Sequence, residues 1–448
     1  MPVFGAIAAR MWPLCFGGNL PELATILGVL QGPQSMAPPP STTITPSFLD
    51  RVFKAFQYRD FRLMFIGACI SSIGTWMQNL AQAWIVLDIS KSPFYLGLDA
   101  FLAGIPVFLF SIIGGVVADR VERRRVLLCS QYVQMASAFI LTLLIYFHVV
   151  RIWEILCLSF VCGTAQSFGG PAYSALIPTL VKKEDMPNAI ALNSIQFNLA
   201  RVLGPALGGL ALDRFGAVWC FGLNGLSFLA PVITLTILTT RYLPQKTGES
   251  VLHSMKQGFR FIRTQGAMET LIFLAFTMTF LGLNWMTFLP WFARTTFRGG
   301  PWTLTLFMCS SGVGAVVGSL AVAWMGNVQH KGRIALASLV WLGVGIAIFS
   351  FSTNIVLSCA VLFLTGIGLM TVFANVNSLV QLITPNEMRG RVMSVYNSAF
   401  RGGMPLGNLM TGWLVPMFTA PFVLAANGIV LVMLALYFLL VQRKVATL

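Results

Sequence analysis

Long apolar stretches dominate the chain, broken at similar intervals by short polar or basic segments. A helix that crosses a bilayer needs about 20 predominantly apolar residues, and twelve stretches meet that requirement. They lie at Leu63–Leu87, Tyr95–Val117, Val126–Val149, Ile152–Leu176, Ala189–Leu212 and Val218–Thr239, then at Thr270–Ala293, Trp302–Trp324, Ile334–Phe351, Ile355–Leu379, Val392–Val415 and Pro421–Leu440. None shows the period-two alternation of an outer-membrane barrel. The pattern therefore predicts an all-α integral membrane protein with twelve transmembrane helices.

The stretches divide six and six, which predicts one bundle over 58–240, a second over 266–448 and a cytoplasmic linker over 241–265. In the linker, Leu252, Met255, Phe259 and Ile262 recur at helical spacing. They fit either an amphipathic helix on the inner membrane surface or a solvated connector. Residues 1–57 form an extension. Its apolar part, Met11–Leu30, is interrupted by Pro13, Gly17, Gly18, Pro21 and Glu22, and carries no clean cleavage site for a signal peptide. The run Pro38-Pro39-Pro40-Ser41 reads as a disordered tract, and Met36 offers an alternative initiator.

Composition agrees with the pattern. Hydrophobic residues make up 56% and charged residues 10%, with a mean hydropathy of +0.79, whereas a soluble domain carries roughly a quarter charged residues. A net charge of +15 raises the question of nucleic acid. Threading twelve spans from a cytoplasmic N-terminus, however, puts most Lys and Arg, including Arg120, Arg123, Arg124, Arg125, Lys182, Lys183, Arg241, Lys256, Arg389, Arg391, Arg443 and Lys444, on one side. That is the positive-inside bias. It places both termini in the cytoplasm and assigns the charge to a membrane face near anionic lipid, with no nucleic acid as partner. The eight cysteines show no CxxC and no ligand spacing, so they read as small packers. No metal or cofactor is expected.

Polar residues inside the spans carry the chemistry. In the first span Ser71, Thr75, Gln78, Asn79 and Gln82 share one helical face. The tenth repeats the pattern with Thr371, Asn375, Ser378 and Gln381, and the seventh offers Thr277, Asn284 and Thr287. An unpartnered amide in hydrocarbon costs several kcal/mol (about 2–7). A single amide is accounted for by a bond to a neighbouring helix; stripes on several helices point to a central polar cavity. Asp99 lies about one turn into the second span, and two readings stand for it. It is either a solvated interfacial group or a carboxylate in low dielectric, where protonation is favoured and a coupling proton can be carried.

A near-repeat joins the halves. Ser194, Asn198, Arg201 and Pro205 align at one offset with Ser394, Ser398, Arg401 and Pro405. Each proline leaves the carbonyl four residues back without its helical donor. Gly204, Gly208 and Gly209 on one helix, and Gly402, Gly403 and Gly407 on the other, permit close packing. The paired motif reads as a hinge or as a packing seam, and Arg201 and Arg401 as cavity cations able to hold a substrate anion.

The loop Gly115-x-x-x-Asp119-Arg120-x-x-Arg123-Arg124 resembles the signature between helices two and three of the major facilitator superfamily. Arg201-x-x-Gly204-Pro205-x-x-Gly208-Gly209 resembles the glycine-proline motif of its proton-coupled exporters. Pro171-Ala172-Tyr173-Ser174-Ala175-Leu176-Ile177-Pro178, with Asn188 to Ser194 and Phe197 to Arg201, resembles the enterobactin exporter-like efflux branch. The likeness covers roughly residues 58–440. It implies two pseudo-symmetric six-helix bundles in a bacterial inner membrane, acting as a monomer and exporting a small amphipathic compound, of the siderophore or drug class, in exchange for protons. Uptake by proton symport is the alternative. It also implies that Gly115, Asp119, Arg120, Arg123 and Arg124 form a conformational latch, with Asp119 reaching across to the second half. Two departures stand out: Glu122 replaces a usual glycine, and the matching loop from Gly318 to Arg333 keeps Lys331 and Arg333 without an acid. An intramembrane enzyme is disfavoured, because His148, His253 and His330 are scattered and no nucleophile–base motif occurs.

Overall fold

The computed structural model describes residues 53–238, 251–326 and 328–447, apart from the side chains of 251–254. The expectations for the N-terminal extension and for Met36 fall outside the described residues, as does the side chain of Leu252. Spans one to five are Arg59–Ser90, Pro93–Arg120, Arg123–Tyr146, Ile152–Leu176 and Met186–Phe215. The sixth is built from Ala217–Ser227 and Leu229–Ile237, and the seventh from Gly266–Gly282, Asn284–Trp291 and the π-helical turn Phe292–Thr296. Spans eight to twelve are Pro301–Met325, Lys331–Phe351, Ile355–Ile383, Arg389–Phe418 and Ala420–Leu440.

Ten of these are apolar enough to cross a bilayer by composition alone. The first and eleventh are not among them, and they are the helices that carry the polar stripe of Gln78, Asn79 and Gln82 and the Arg401 segment. Most helices run past their apolar stretches into the interface. Two stop short: the third ends at Tyr146, three residues before Val149, because His148 takes a left-handed backbone with φ 56°, and the sixth ends at Ile237, where Leu238 leaves the helix with ψ 129°. Local chemistry sets other ends. Pro93 and Pro301 occupy the first turn, where a missing N–H costs nothing. The Asn354 side chain accepts from the amides of Val356 and Leu357 at 2.9 and 3.1 Å. Gly216, with φ 83°, turns the chain between the fifth and sixth spans.

The helices form the two six-helix bundles of the major facilitator fold. In the first half, span one packs on five and six, and span four on two and three; in the second, eight packs on ten and nine on twelve. Two seams join the halves, span two against eleven and span five against eight. Small residues make them close. A Cβ added to Gly412 would lie 3.0 Å from the Cα of Gly97, and one on Gly104 would lie 3.0 Å from Pro405. One added to Gly209 would collide with Thr305. Apolar lipid supplies no hydrophobic drive for helices to associate, so such close van der Waals packing has to hold the halves together.

At the end that carries the basic loops the glycines and serines of these helices stand open instead of packed. A Cβ on Gly115 or Gly390 would meet nothing within 4 Å, and Ser194 and Ser394 are exposed. The linker contains the helix Val251–Thr264, which packs on the start of the eleventh span. Gly258 lies against the backbone of Arg391, Ile262 is buried and Phe259 is exposed. The described part of the linker is thus a helix docked on the eleventh span.

Candidate functional site

The polar face of the first span organises the interior of the first half. Asn224 on the sixth span donates to the Gln78 carbonyl at 2.6 Å, and Gln78 faces Gln82 at 3.5 Å. The Gln82 amide donates to both oxygens of Asp99, at 3.1 and 2.9 Å, and lies 2.9 Å from the Ser159 hydroxyl. Ser159, on the fourth span, also donates to Asp99. Among the described residues the ion pairs involve other groups, so two neutral donors, and no cation, answer the Asp99 carboxylate. Such a site tolerates the charged form through its donors. It also tolerates the neutral form, because no cation would be left unpaired. Thr75 bonds back to the Ser71 carbonyl at 2.9 Å, and Asn79 is exposed.

The seventh and tenth spans differ. Asn284 is fully buried and donates to the Phe280 carbonyl and to Thr411, while Thr287 donates to Asn408 at 3.0 Å. Asn375 is buried and donates to the Thr371 carbonyl at 2.8 Å. Asn284 thus ties the seventh span to the eleventh, whereas Asn375 bonds within its own helix and, with Ser378 and Lys331, lines a small cavity inside the second half. Their spacing resembles that of the first span, yet the face each helix turns inward is set by its neighbours.

Arg201 occupies the seam between the halves. Its side chain is 7% exposed, one Nη lies 3.5 Å from the Met286 sulfur and the guanidinium stands 5.9 Å from the Trp76 ring. Its Nε has no hydrogen-bond partner among the described residues. Trp76 stacks edge-on against Phe197. The carbonyl released by Pro205 faces the eighth span, where a Cβ on Gly312 would lie 3.3 Å away. Asn198 and Ser398 each bond back one turn, to Ser194 and Ser394 at 2.9 Å.

Arg201 and Arg401 are matched in sequence but not in space. Gly204 and Gly208 lie on the first span, against Trp76 and Met77. On the eleventh helix it is Gly403 and Gly407 that lie on the seventh, against Thr279 and Phe280. That offset is one residue short of the sequence repeat, which turns the side chain about 100° around the helix. Arg401 is consequently exposed where Arg201 is buried.

The basic loop works within the first half. Arg123 is buried and donates to the Ala175 carbonyl at 2.8 Å, at the end of the fourth span. Arg124 donates to Thr236 at 2.6 Å and Leu238 at 3.2 Å, at the end of the sixth. Cations suit the negative ends of helix dipoles. Asp119 faces only Arg123, at 3.7 Å, among the described ion pairs, and Arg120 is exposed. Glu122 has φ −56° and pairs with Arg125 at 2.8 Å. Nothing at that position demands glycine, which accounts for the departure.

Sequence reasoning missed the residues at the opposite end. Asp88, closing the first span, pairs with Arg294 of the seventh at 2.8 Å, and Arg294 stands 5.8 Å from the Trp84 ring. An acid and a base at the ends of distant spans were the available signal. Trp76, Ser159, Asn224 and Met286 lacked even that.

Comparison with known proteins places this geometry. A family described as transmembrane secretion effectors matches residues 51–447. The chain is similar to the enterobactin exporter EntS of Salmonella choleraesuis, 24% identical over 391 residues that cover 85% of this chain and 92% of that protein. It is also similar to the multidrug efflux pump Tap of Mycolicibacterium fortuitum, 22% identical over 361 residues, covering 78% and 88%. Among solved structures, the nucleoside transporter NupG superposes with a TM-score of 0.65 at 16% identity, covering 85% and 98%. A peptide transporter POT in complex with sulfate gives 0.67 at 14%, covering 87% and 95%.

Proposed function

The chain belongs to the transmembrane secretion effector family of major facilitator transporters, and from that premise we propose that it exports a small amphipathic compound from the cytoplasm in exchange for protons. As a transporter it performs no catalysis. The observation that carries the reading is a cation-free carboxylate, Asp99, inside a fold whose close glycine contacts between the halves lie away from the basic end. The basic end is cytoplasmic by the charge bias. The cavity wall of Thr75, Gln78, Asn79, Gln82, Asn198, Ser398 and Arg401 then takes up substrate from the cytoplasm. Rocking of the halves about the glycine seams exposes the same wall to the other side.

Asp99 supplies the coupling. When the site faces outward it takes a proton, which removes an unpaired charge from the bundle; when it faces inward it gives the proton up, with Gln82 and Ser159 holding the anion. Asp119 steadies the outward-facing state. In that state the halves meet at the basic end, and its carboxylate reaches the N-terminus of the eleventh helix, where the dipole favours an anion.

Everted vesicles carrying the protein should accumulate an exported probe when a proton gradient, acid inside, is imposed. Asp99→Asn should abolish that uphill movement while leaving exchange of probe across the membrane. Accumulation in right-side-out vesicles instead would establish uptake, and uphill export by Asp99→Asn would clear Asp99 of coupling.

A further inference from the structure

Of the buried polar groups that find no partner among the described residues, Arg201 is the one that a membrane protein tolerates least. A guanidinium does not lose its proton in proteins. Burying it without a counter-charge is strongly unfavourable even after relaxation. Yet among the described residues no carboxylate is paired with it, its Nε is unsatisfied and its side-chain hydrogen bond goes to the weakly accepting sulfur of Met286. Asp99 does not serve, because its oxygens are taken by Gln82 and Ser159.

The surroundings are equally specific. Trp76 and Arg201 belong to the first half and Met286 to the second, so the guanidinium sits where the two halves slide past each other. Met286 lies three residues beyond the interruption of the seventh span at Leu283, and interrupted helices at the half-to-half boundary are where transporters place substrate sites. The planar fork of arginine accepts a carboxylate or a related anion through paired N–H donors. Trp76 and Phe197 provide aromatic surface beside it.

We propose that the transported compound is an amphipathic organic anion whose charged group completes the coordination of Arg201 while its aromatic or apolar body lies against Trp76 and Phe197. The inference names the substrate class within the export reading and rests on it for the word transported. The binding site itself requires neither direction nor proton coupling.

The test is thermal unfolding of the purified full-length protein in detergent, with naphthoate, the neutral naphthamide and the naphthylmethylammonium cation as probes. Naphthoate should raise the melting temperature of the wild type, and the other two should not. Arg201→Met should abolish that rise. It should also leave the empty protein as stable as the wild type or more so, since it removes an unpaired buried charge. Arg201→Lys should retain part of the response. Equal stabilisation by the amide or the cation, no stabilisation by naphthoate, or an undiminished rise in Arg201→Met would overturn the proposal. A structural arginine would reveal itself by a large drop in the melting temperature of both variants without probe. Because no gradient is present, failure of vesicle export with intact naphthoate binding would reject the export reading alone.

Discussion

Replacing Arg294 with glutamine removes the ion pair that, among the described residues, ties the first span to the seventh at the end opposite the basic loops. Its size can be worked from the structure. Asp88 is 56% and Arg294 33% exposed, so water screens the pair and it contributes about 0.5 kcal/mol. The guanidinium over Trp84 at 5.8 Å adds about 0.5–1 kcal/mol. The buried Nη1 of Arg294, which has no partner, offsets part of this. About 1 kcal/mol remains, which shifts the ratio of closed to open forms at that end by about fivefold. Spin labels at Phe147→Cys and Trp302→Cys, in a background without native cysteines, report the separation by double electron–electron resonance in reconstituted bilayers. The longer distance should gain population in Arg294→Gln and in Asp88→Asn, and the double variant should add little to either. An unchanged distribution, or fully additive effects in the double variant, would refute the idea that this pair holds the end shut.

Two further outcomes follow from other contacts. Asp119→Asn should lower vesicle transport sharply while the protein remains in the membrane, because the outward-facing state loses its anion at the eleventh helix; normal rates would reject the latch. At the basic end, Lys54 and then Tyr58 donate to Asp185 and hold its carboxyl below the usual carboxylate range, while the same bond raises Lys54 above its ordinary value of 10.5. A depressed carboxyl contributes stability above its unfolded value, about 3.9, and loses it as pH falls through the folded one. A raised lysine contributes below its unfolded value and loses it as pH rises through the folded one. A spin label at Phe53→Cys should therefore stay immobile near neutral pH and loosen in acid, and Asp185→Asn should already be loose at neutral pH. Equal mobility in the two proteins would break the link.

The spans were legible because the bilayer reads composition directly. Every backbone group in hydrocarbon must be satisfied within its own segment, so an apolar run of sufficient length becomes a helix whatever surrounds it. The signature loop was recognisable only by resemblance, because Arg123 and Arg124 bond the ends of helices that lie far along the chain, at Ala175, Thr236 and Leu238. The third span was overextended because apolar Val149 continues the pattern past the left-handed turn at His148.

The site was less legible, because sequence spacing fixes which side chains share a face but not where that face points. The stripes of the first and tenth spans look alike, yet the first turns Gln82 to Asp99 and Ser159 while the tenth closes Asn375 on its own backbone. Sequence by itself determined the twelve helices, their division into two halves and the basic face, since each depends on local hydropathy and charge. Only tertiary structure decided that Arg201 is buried and Arg401 exposed, that Asp88 meets Arg294, and that the halves join at one end. Those outcomes depend on helix rotation and on glycine contacts between residues hundreds of positions apart, where a one-residue slip in packing swings a side chain through about 100°.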